Sequence, residues 1–423
     1  MRKLTAQLYS LIFLLGLLVL SACGDKPAHL QTSGFAVRAP DSDISFDDYL
    51  DSTRAQLANA LSVVYERAGP SPFGDDYPLE RTLQMRAPYE IREAPLCGTG
   101  EPRTGYLLIH GLTDSPYLLS AVARSLAGRS PCSVVRSVLL PGHGTVPGDS
   151  LKVHRDEWRQ ITRYGVDSFR GRVNELYLVG YSAGATLAVE YADQNRDDSF
   201  LAGLVLMSPA MALPDPNVRF APYVRWFMDW LGTERERDAA KYETLAINAG
   251  AEFYLLVREL GWRQMQALEL PVFMVVSGVD ATVDVSAAAD FFCEKAPRNR
   301  RHLLWYSSAN DASEQLTNCG GISVESIVDT EHRIVSVSHV GITIPGNDPH
   351  YGRDAGYRQC LHYSAVAERF EQCLADDIET VYGERSLLLD GLYDGRLMRR
   401  ATFNPAFASM MQRVDCFLAD TCY

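Results

Sequence analysis

The stretch Leu176-Tyr-Leu-Val-Gly-Tyr-Ser-Ala-Gly-Ala-Thr-Leu-Ala-Val-Glu-Tyr-Ala192 decides how this chain is read. Leu176 to Val179 is an apolar run of strand type, Gly180-Tyr181-Ser182-Ala183-Gly184 is a turn, and Ala183 to Ala192 has the composition of a buried helix. A strand, a sharp turn and a helix in that order hold up the residue at the tip, which is Ser182. A serine hydroxyl is a weak nucleophile at neutral pH, so it has to sit beside a base and beside donors for the developing oxyanion. Gly180 and Gly184 leave room for so tight a turn, because a Cβ at either position would collide with the neighbouring strand or helix. The helix N-terminus points at the reacting carbonyl, and the Ala183 N–H is the expected donor. By itself G-x-S-x-G is a weak pattern, arising by chance in on the order of one chain in six of this length. A serine that merely caps its helix would look the same. The rest of the chain has to supply the partners.

At the start, Met1-Arg2-Lys3 is basic and Leu8 to Leu20 is apolar and uncharged. That run is too short to cross a bilayer as a helix, which takes ~20 residues, and reads as a signal-peptide core. Leu20-Ser21-Ala22-Cys23 then resembles the lipobox of bacterial lipoproteins. The resemblance implies that residues 1–22 are removed and that Cys23 carries several acyl chains, palmitate among them, enough for stable membrane anchoring. Gly24 follows the cysteine, with Asp25 one place later. That order favours an outer membrane, facing the periplasm, over an inner one.

The formal net charge of −13 argues against nucleic acid and against electrostatic attraction to anionic lipid. Hydrophobic residues make up 47% of the chain, enough for a large core. Apart from Cys23 there are eight cysteines, an even set that in an exported chain allows up to four disulfides. Cys360 with Cys373 and Cys416 with Cys422 are the pairs expected from proximity; the pairing as a whole stays open. No C-x-x-C pair and no H-E-x-x-H occurs, so neither a metal nor a cofactor is expected.

Residues 23–44 contain Pro27, Gly34 and Pro40 and read as a flexible tether. Residues 45–84 read as a helical extension, in which Ser45 caps a helix to about Arg67. Phe46, Leu50, Leu57, Leu61 and Val64 share its inner face, and Gly69-Pro70 ends it. In the body, 85–419, Tyr106 to Ile109 is a strand followed by His110-Gly-Leu-Thr-Asp-Ser-Pro116. Ser133 to Leu139 is another, running into Leu140-Pro-Gly-His-Gly144. These two motifs and Gly180-Tyr-Ser-Ala-Gly184, in this order, resemble the α/β-hydrolase fold, in particular its monoacylglycerol lipase and carboxylesterase-like branch, over roughly Ala87 to Leu418. The resemblance implies a mostly parallel, doubly wound sheet with helices on both faces. It also makes the backbone N–H of Leu112 the second oxyanion donor. His110 and His143 read as organisers of their loops.

The stretch at about 211–268 breaks the strand–helix alternation and reads as a helical cap over the site. Tyr223, Trp226, Phe227 and Trp230 recur there at helical spacing, an aromatic face suited first to packing on the body and second to an acyl wall or an interface. Pro271 to Ser277 is a strand, and the fold's acid belongs just past such a strand. Asp280 fits best, with Asp284 as the alternative. The fold's order of serine, acid, histidine leaves His302, His332, His339, His350 and His362 as bases. His339 lies just beyond the apolar run His332 to Val337, read as a strand, and is preferred. Residues 307–331 are polar and read as a loop insertion. Asn404-Pro405 opens a last helix with Phe407, Met410, Met411, Val414, Phe417 and Leu418 on one face.

The expected chemistry is hydrolysis of carboxylic esters, with acyl esters such as monoacylglycerols or lysophospholipids suggested by an apolar cap and a membrane tether. One alternative is a serine peptidase of the proline-iminopeptidase type. It would need an acidic cluster for a free amino terminus, and Glu234, Glu236 and Asp238 in the cap read instead as a solvated face. The other is a non-catalytic lipoprotein that keeps the fold for binding.

Overall fold

The structure, a computed structural model, describes residues 27–421 except 42, 70–71, 93–96, 99, 309–315, 317–318, 377–378 and 390–394. The expected signal peptide and Cys23 lie outside the described residues. Helix α1 (Phe46–Ala68) begins where Ser45 Oγ accepts the Asp48 N–H at 3.1 Å, with Asp47 and Asp48 in the electropositive first turn. Its Phe46, Leu57, Leu61 and Val64 are buried as the spacing predicts, each contributing about 1.5–3 kcal/mol of transfer free energy. Helix α2 (Leu79–Arg86) packs beside it.

The body follows as β1 (Tyr89–Arg92), β2 (Thr104–Ile109), α3 (Ser120–Ala127), β3 (Ser133–Val138), α4 (Arg155–Asp167), β4 (Glu175–Tyr181), α5 (Ala183–Gln194) and β5 (Leu201–Met207). An inserted segment ends in α6 (Ile247–Leu260). The alternation then resumes with β6 (Val272–Ser277), α7 (Val285–Lys295), β7 (Arg301–Ser307) and β8 (Ile322–Ser326). A second insertion carries α8 (Ala367–Leu374), β9 (Thr380–Gly383) and β10 (Leu397–Arg400), and α9 (Phe407–Leu418) closes the chain.

Strands β1 to β8 form one sheet in the order β1-β3-β2-β4-β5-β6-β7-β8. Only the β1–β3 pair is antiparallel. Alternate residues of the central strands feed two cores. Leu107, Leu178, Leu206 and Met274 face the layer of α4, α5 and α7, while Leu108, Val179, Val205 and Val275 face the layer of α3 and α9. Strands covered on both sides read as unbroken apolar runs, the pattern of a parallel sheet. The observed architecture is the doubly wound α/β fold that the motifs imply.

Four local readings change. The run His332 to Val337 is not a strand of the main sheet. Ile334 and Val335 pair instead with Tyr382 of β9, and Ile334 and Val337 are buried. The eighth strand is β8, inside the stretch read as a polar loop; it is half-exposed at the sheet edge, so nothing forces it to be apolar. The cap is helical only at Pro216–Phe220, Ala221–Val224 and α6; residues 225–246 between them are largely irregular. Residues 30–37, expected within a flexible tether, lie against the body. Ser33 donates its N–H and hydroxyl to the two oxygens of the buried Asp149, at 2.8 and 2.6 Å, and Leu30 and Val37 are buried.

Disulfides join Cys97 to Cys132, Cys293 to Cys319 and Cys360 to Cys373, the last as expected. Cys416 is disulfide-bonded, and Cys422 lies outside the described residues.

Asp149→Ala removes both anchors of Ser33 and leaves its hydroxyl without that partner. The expected result is a stability loss of about 1–3 kcal/mol in urea unfolding, together with new protease cleavage confined to residues 27–44.

Candidate active site

Ser182 stands at the C-terminal end of β4 with φ 53° and ψ −116°, a conformation that a non-glycine residue adopts only where its surroundings impose it. Those surroundings are two glycines under steric compulsion. A Cβ on Gly180 would lie 2.4 Å from Ala185 Cα in α5, and one on Gly184 would lie 1.9 Å from the Ile109 carbonyl oxygen at the end of β2. The turn is therefore clamped between helix and strand. It lifts the Ser182 hydroxyl toward the loops beyond the strand ends.

His339 Nε2 lies 3.0 Å from Ser182 Oγ, and His339 Nδ1 lies 2.7 Å from Asp280 Oδ2. All three residues are buried, Ser182 to 7% exposure. The other oxygen of Asp280 accepts the N–H groups of Thr282 and Val283 at 2.8 and 3.1 Å. Burial alone would raise the Asp280 carboxyl, but His339, the Thr282 N–H and the Arg400 charge outweigh it and hold Asp280 below its ordinary range. An imidazole placed so can take a proton from the hydroxyl on one face while the carboxylate fixes its tautomer and supports its charge.

The alternatives find other employment. Asp284 caps α7, accepting the Ala287 N–H at 3.0 Å. His302 stacks on Phe273, His332 bonds Asp329, His362 bonds the Met398 carbonyl, and His350 lies between Asp238 and Tyr77.

Ala183 is the first residue of α5, so its N–H has no partner within that helix. The Gly111-Leu112-Thr113 loop lies against the serine: a Cβ on Gly111 would sit 3.1 Å from Ser182 Cβ. Thr113 turns that loop at φ 67°, and its carbonyl accepts the Tyr242 N–H of the cap at 2.8 Å. His110 and His143 organise the loops around it. His110 Nε2 accepts the Leu140 N–H at 3.0 Å while Nδ1 donates to the Gly111 carbonyl at 2.8 Å. Burial pushes His110 down to about 4 and His143 down to about 3, so both stay neutral. Among the described residues, the only cluster with metal-ligand spacing is Cys97, Glu101 and Cys132, whose two thiols are joined to each other.

Sequence reasoning missed the support behind His339. Glu384, fully buried just past β9, accepts the His339 N–H at 3.0 Å through Oε2, and Arg400 of β10 binds both carboxylate oxygens, at 2.8 and 2.9 Å. Arg400 also donates to Thr282 Oγ1 beside Asp280. Tyr181 donates its hydroxyl to the His339 carbonyl at 2.9 Å, and Ser338 is tied to Ala401. One buried ion pair thus links the loops of the histidine and the acid. The visible hint was Arg399-Arg400 inside a stretch that folds as a strand.

Of the acidic cap residues, Glu236 and Asp238 do not lie on a solvated face. Asp238 is fully buried, accepting from His350 at 2.9 Å and from Tyr351 at 2.9 and 2.8 Å. Glu236 is buried and accepts the Glu243 and Thr244 N–H groups at 2.9 and 2.8 Å; burial pushes its carboxyl up to about 7. The aromatic face divides: Trp230 packs against the core as expected, whereas Tyr223, Trp226 and Phe227 are 69%, 76% and 87% exposed.

A family model described as the alpha/beta hydrolase family matches residues 106–358, more than half of the chain. The thermostable monoacylglycerol lipase of Bacillus sp. (strain H-257) is 28% identical over 112 residues, 26% of this chain and 42% of that protein, so the likeness spans less than half of the relative. Among solved structures, the Paleococcus ferrophilus monoacylglycerol lipase is 16% identical with a TM-score of 0.44, covering 68% of this chain and 98% of that one. A soluble variant of the Saccharomyces cerevisiae monoglyceride lipase is 15% identical with a TM-score of 0.40, covering 52% and 82%.

Two outcomes follow from this geometry. Arg400→Met strands the Glu384 carboxylate without its cation and is expected to cost about 3–5 kcal/mol in chemical unfolding. Because the folded-state Glu236 carboxyl titrates well above its unfolded value, the stability it contributes is fully present below pH ~4.5 and is lost as pH rises through ~7. Glu236→Gln, less stable overall for want of one acceptor oxygen, should show a melting temperature that changes less than the parent's between pH 5 and 8.

Proposed function

The chain belongs to the alpha/beta hydrolase family, and we propose that within it the protein is a serine hydrolase of carboxylic esters that works through an acyl-enzyme. The observation that carries the reading is the unbroken line from Asp280 through His339 to Ser182. In the first half-reaction Ser182 Oγ attacks the ester carbonyl and its proton passes to His339 Nε2, while Asp280 stabilises the imidazolium. The Leu112 and Ala183 N–H groups receive the charge on the carbonyl oxygen. As the tetrahedral centre collapses, the C–O bond to the alcohol breaks and His339 returns the proton to the departing oxygen. In the second half, His339 deprotonates a water that attacks the acyl carbonyl, and Ser182 leaves with the proton.

The substrates we propose are acyl esters of the monoacylglycerol or lysophospholipid type. The exposed aromatic residues of the cap support a lipid setting, as does the activity in the name of the Bacillus relative. In this reading the mature protein starts at Cys23 and is acyl-anchored there to a membrane, with residues 85–419 as the hydrolase domain. The peptidase alternative draws no support from the cap acids, because Glu236 and Asp238 already have protein partners. A pure binder would have no need of the full serine, histidine and acid set.

A fluorophosphonate probe should label one peptide, the one containing Ser182, and Ser182→Ala should abolish both labelling and ester turnover. Asp280→Asn, which keeps the shape but loses the charge, is expected to lower kcat about 10⁴-fold. On a panel of ester chain lengths beside aminoacyl amides, long-chain esters should give the highest kcat/KM. A preference for the amides would replace the esterase reading with the peptidase one.

A further inference from the structure

Phe220, Tyr223, Trp226, Phe227, Met228 and Leu231 are all exposed on the cap, Phe227 and Leu231 to 87%. Single exposed apolar residues need no explanation, but six large ones within residues 220–231 are a concentration that calls for one.

The described chain enters the body beside that patch. Pro27 and His29 share a hollow with Arg67, Arg235 and Glu236, and Ser33 is pinned by Asp149. The 3-10 helix Pro147–Lys152 connects the two places. At one end, Gly148 lies so close to Gln31 that a Cβ there would be 2.3 Å from the Gln31 carbonyl oxygen. At the other end, Leu151 and Lys152 line a hollow with Arg225, Trp226 and Met228. A 3-10 helix of this length rises about 12 Å. The entry of the chain and the aromatic patch therefore lie on one side of the molecule.

We propose that this side is a docking surface for a lipid bilayer, held there by the acyl chains on Cys23. The proposal rests on the anchored ester hydrolase reading above. From Cys23 to Pro27 the chain can reach at most ~14 Å, so the pinned entry point stays close to the membrane. The patch beside it is aromatic and aliphatic, the composition that settles at a membrane–water boundary. With a net charge of −13, apolar contact drives the docking in place of attraction to anionic headgroups. Cap residues Lys241 and Tyr242 contact Asp114 and Thr113 of the loop beside Ser182, so the cap that carries the patch also borders the serine.

The test uses the full lipidated protein in phosphatidylcholine vesicles with brominated acyl chains, read by tryptophan fluorescence. Bromine should quench the emission, and Trp226→Phe should remove most of the quenchable part. Phe227→Asp with Leu231→Asp, at positions exposed enough to leave folding intact, should cut hydrolysis of a vesicle-borne long-chain monoacylglycerol at least ~10-fold while a water-soluble short-chain ester is turned over as before. Emission that bromine leaves unquenched, equal loss on both substrates, or a solution dimer abolished by the two aspartates would each overturn the proposal, the last by assigning the patch to a second copy. A parent protein inert toward the soluble ester, yet with Trp226 still quenched, would remove the hydrolase reading and leave the docking surface standing. A protein without acyl chains on Cys23 would remove the tether that places the patch, and with it the proposal.

Discussion

The packing of α5 against the end of β2 is the constraint on which the site depends. Gly184 lets the helix approach until only a hydrogen separates its Cα from the Ile109 carbonyl, and Gly180 does the same on the other side of the turn. Between them Ser182 is forced to a positive φ. The strain is local, and it is outweighed by a sheet whose central strands are buried on both faces. The hydroxyl is held in place by the scaffold and needs no ligand to position it.

The second arm is built differently. His339 arrives on a loop, and a loop by itself positions nothing to the tolerance that proton transfer requires. Its rigidity comes from outside the main sheet. The β9–β10 insertion presents Glu384 to the His339 N–H, Arg400 neutralises Glu384 and reaches Thr282, and Tyr181 of the serine turn grips the His339 carbonyl. Burying an ion pair contributes little net stability. Here it joins the histidine and acid loops so that neither moves without the other.

A comparable buried network holds the cap and the N-terminal extension together. Asp238 receives His350 and Tyr351, His350 accepts from Tyr77, and Arg86 of α2 donates to the carbonyls of Asp238, Ala239 and Thr145. Three segments far apart in the chain thus meet at one carboxylate and one guanidinium. Burial raises Asp238, yet His350 and the donors around it more than offset this and keep the carboxyl low. The cap is fastened by polar contacts at its base, while its aromatic segment stays exposed.

The sequence alone determined what is written in short range. Apolar runs marked β2, β3, β4 and β6 because both faces of those strands are buried, and Gly-x-Ser-x-Gly marked the turn because only glycine fits there. The order of serine, acid and histidine narrowed the base to five residues, of which His339 was preferred. What lies between distant segments was not legible. The edge strand β8 is too exposed to carry an apolar signal, and the apolar run at 334–337 serves the core beside β9 rather than the sheet. Asp238 and Glu236 read as a solvated face and nothing singled out Glu384, because a charged side chain names its partner only once the fold has carried that partner to it. Asp280 and Asp284 were separated by a hydrogen bond to an imidazole 59 residues away. Contacts of that reach are settled by tertiary packing, since local sequence sets backbone preference but not which side chains meet.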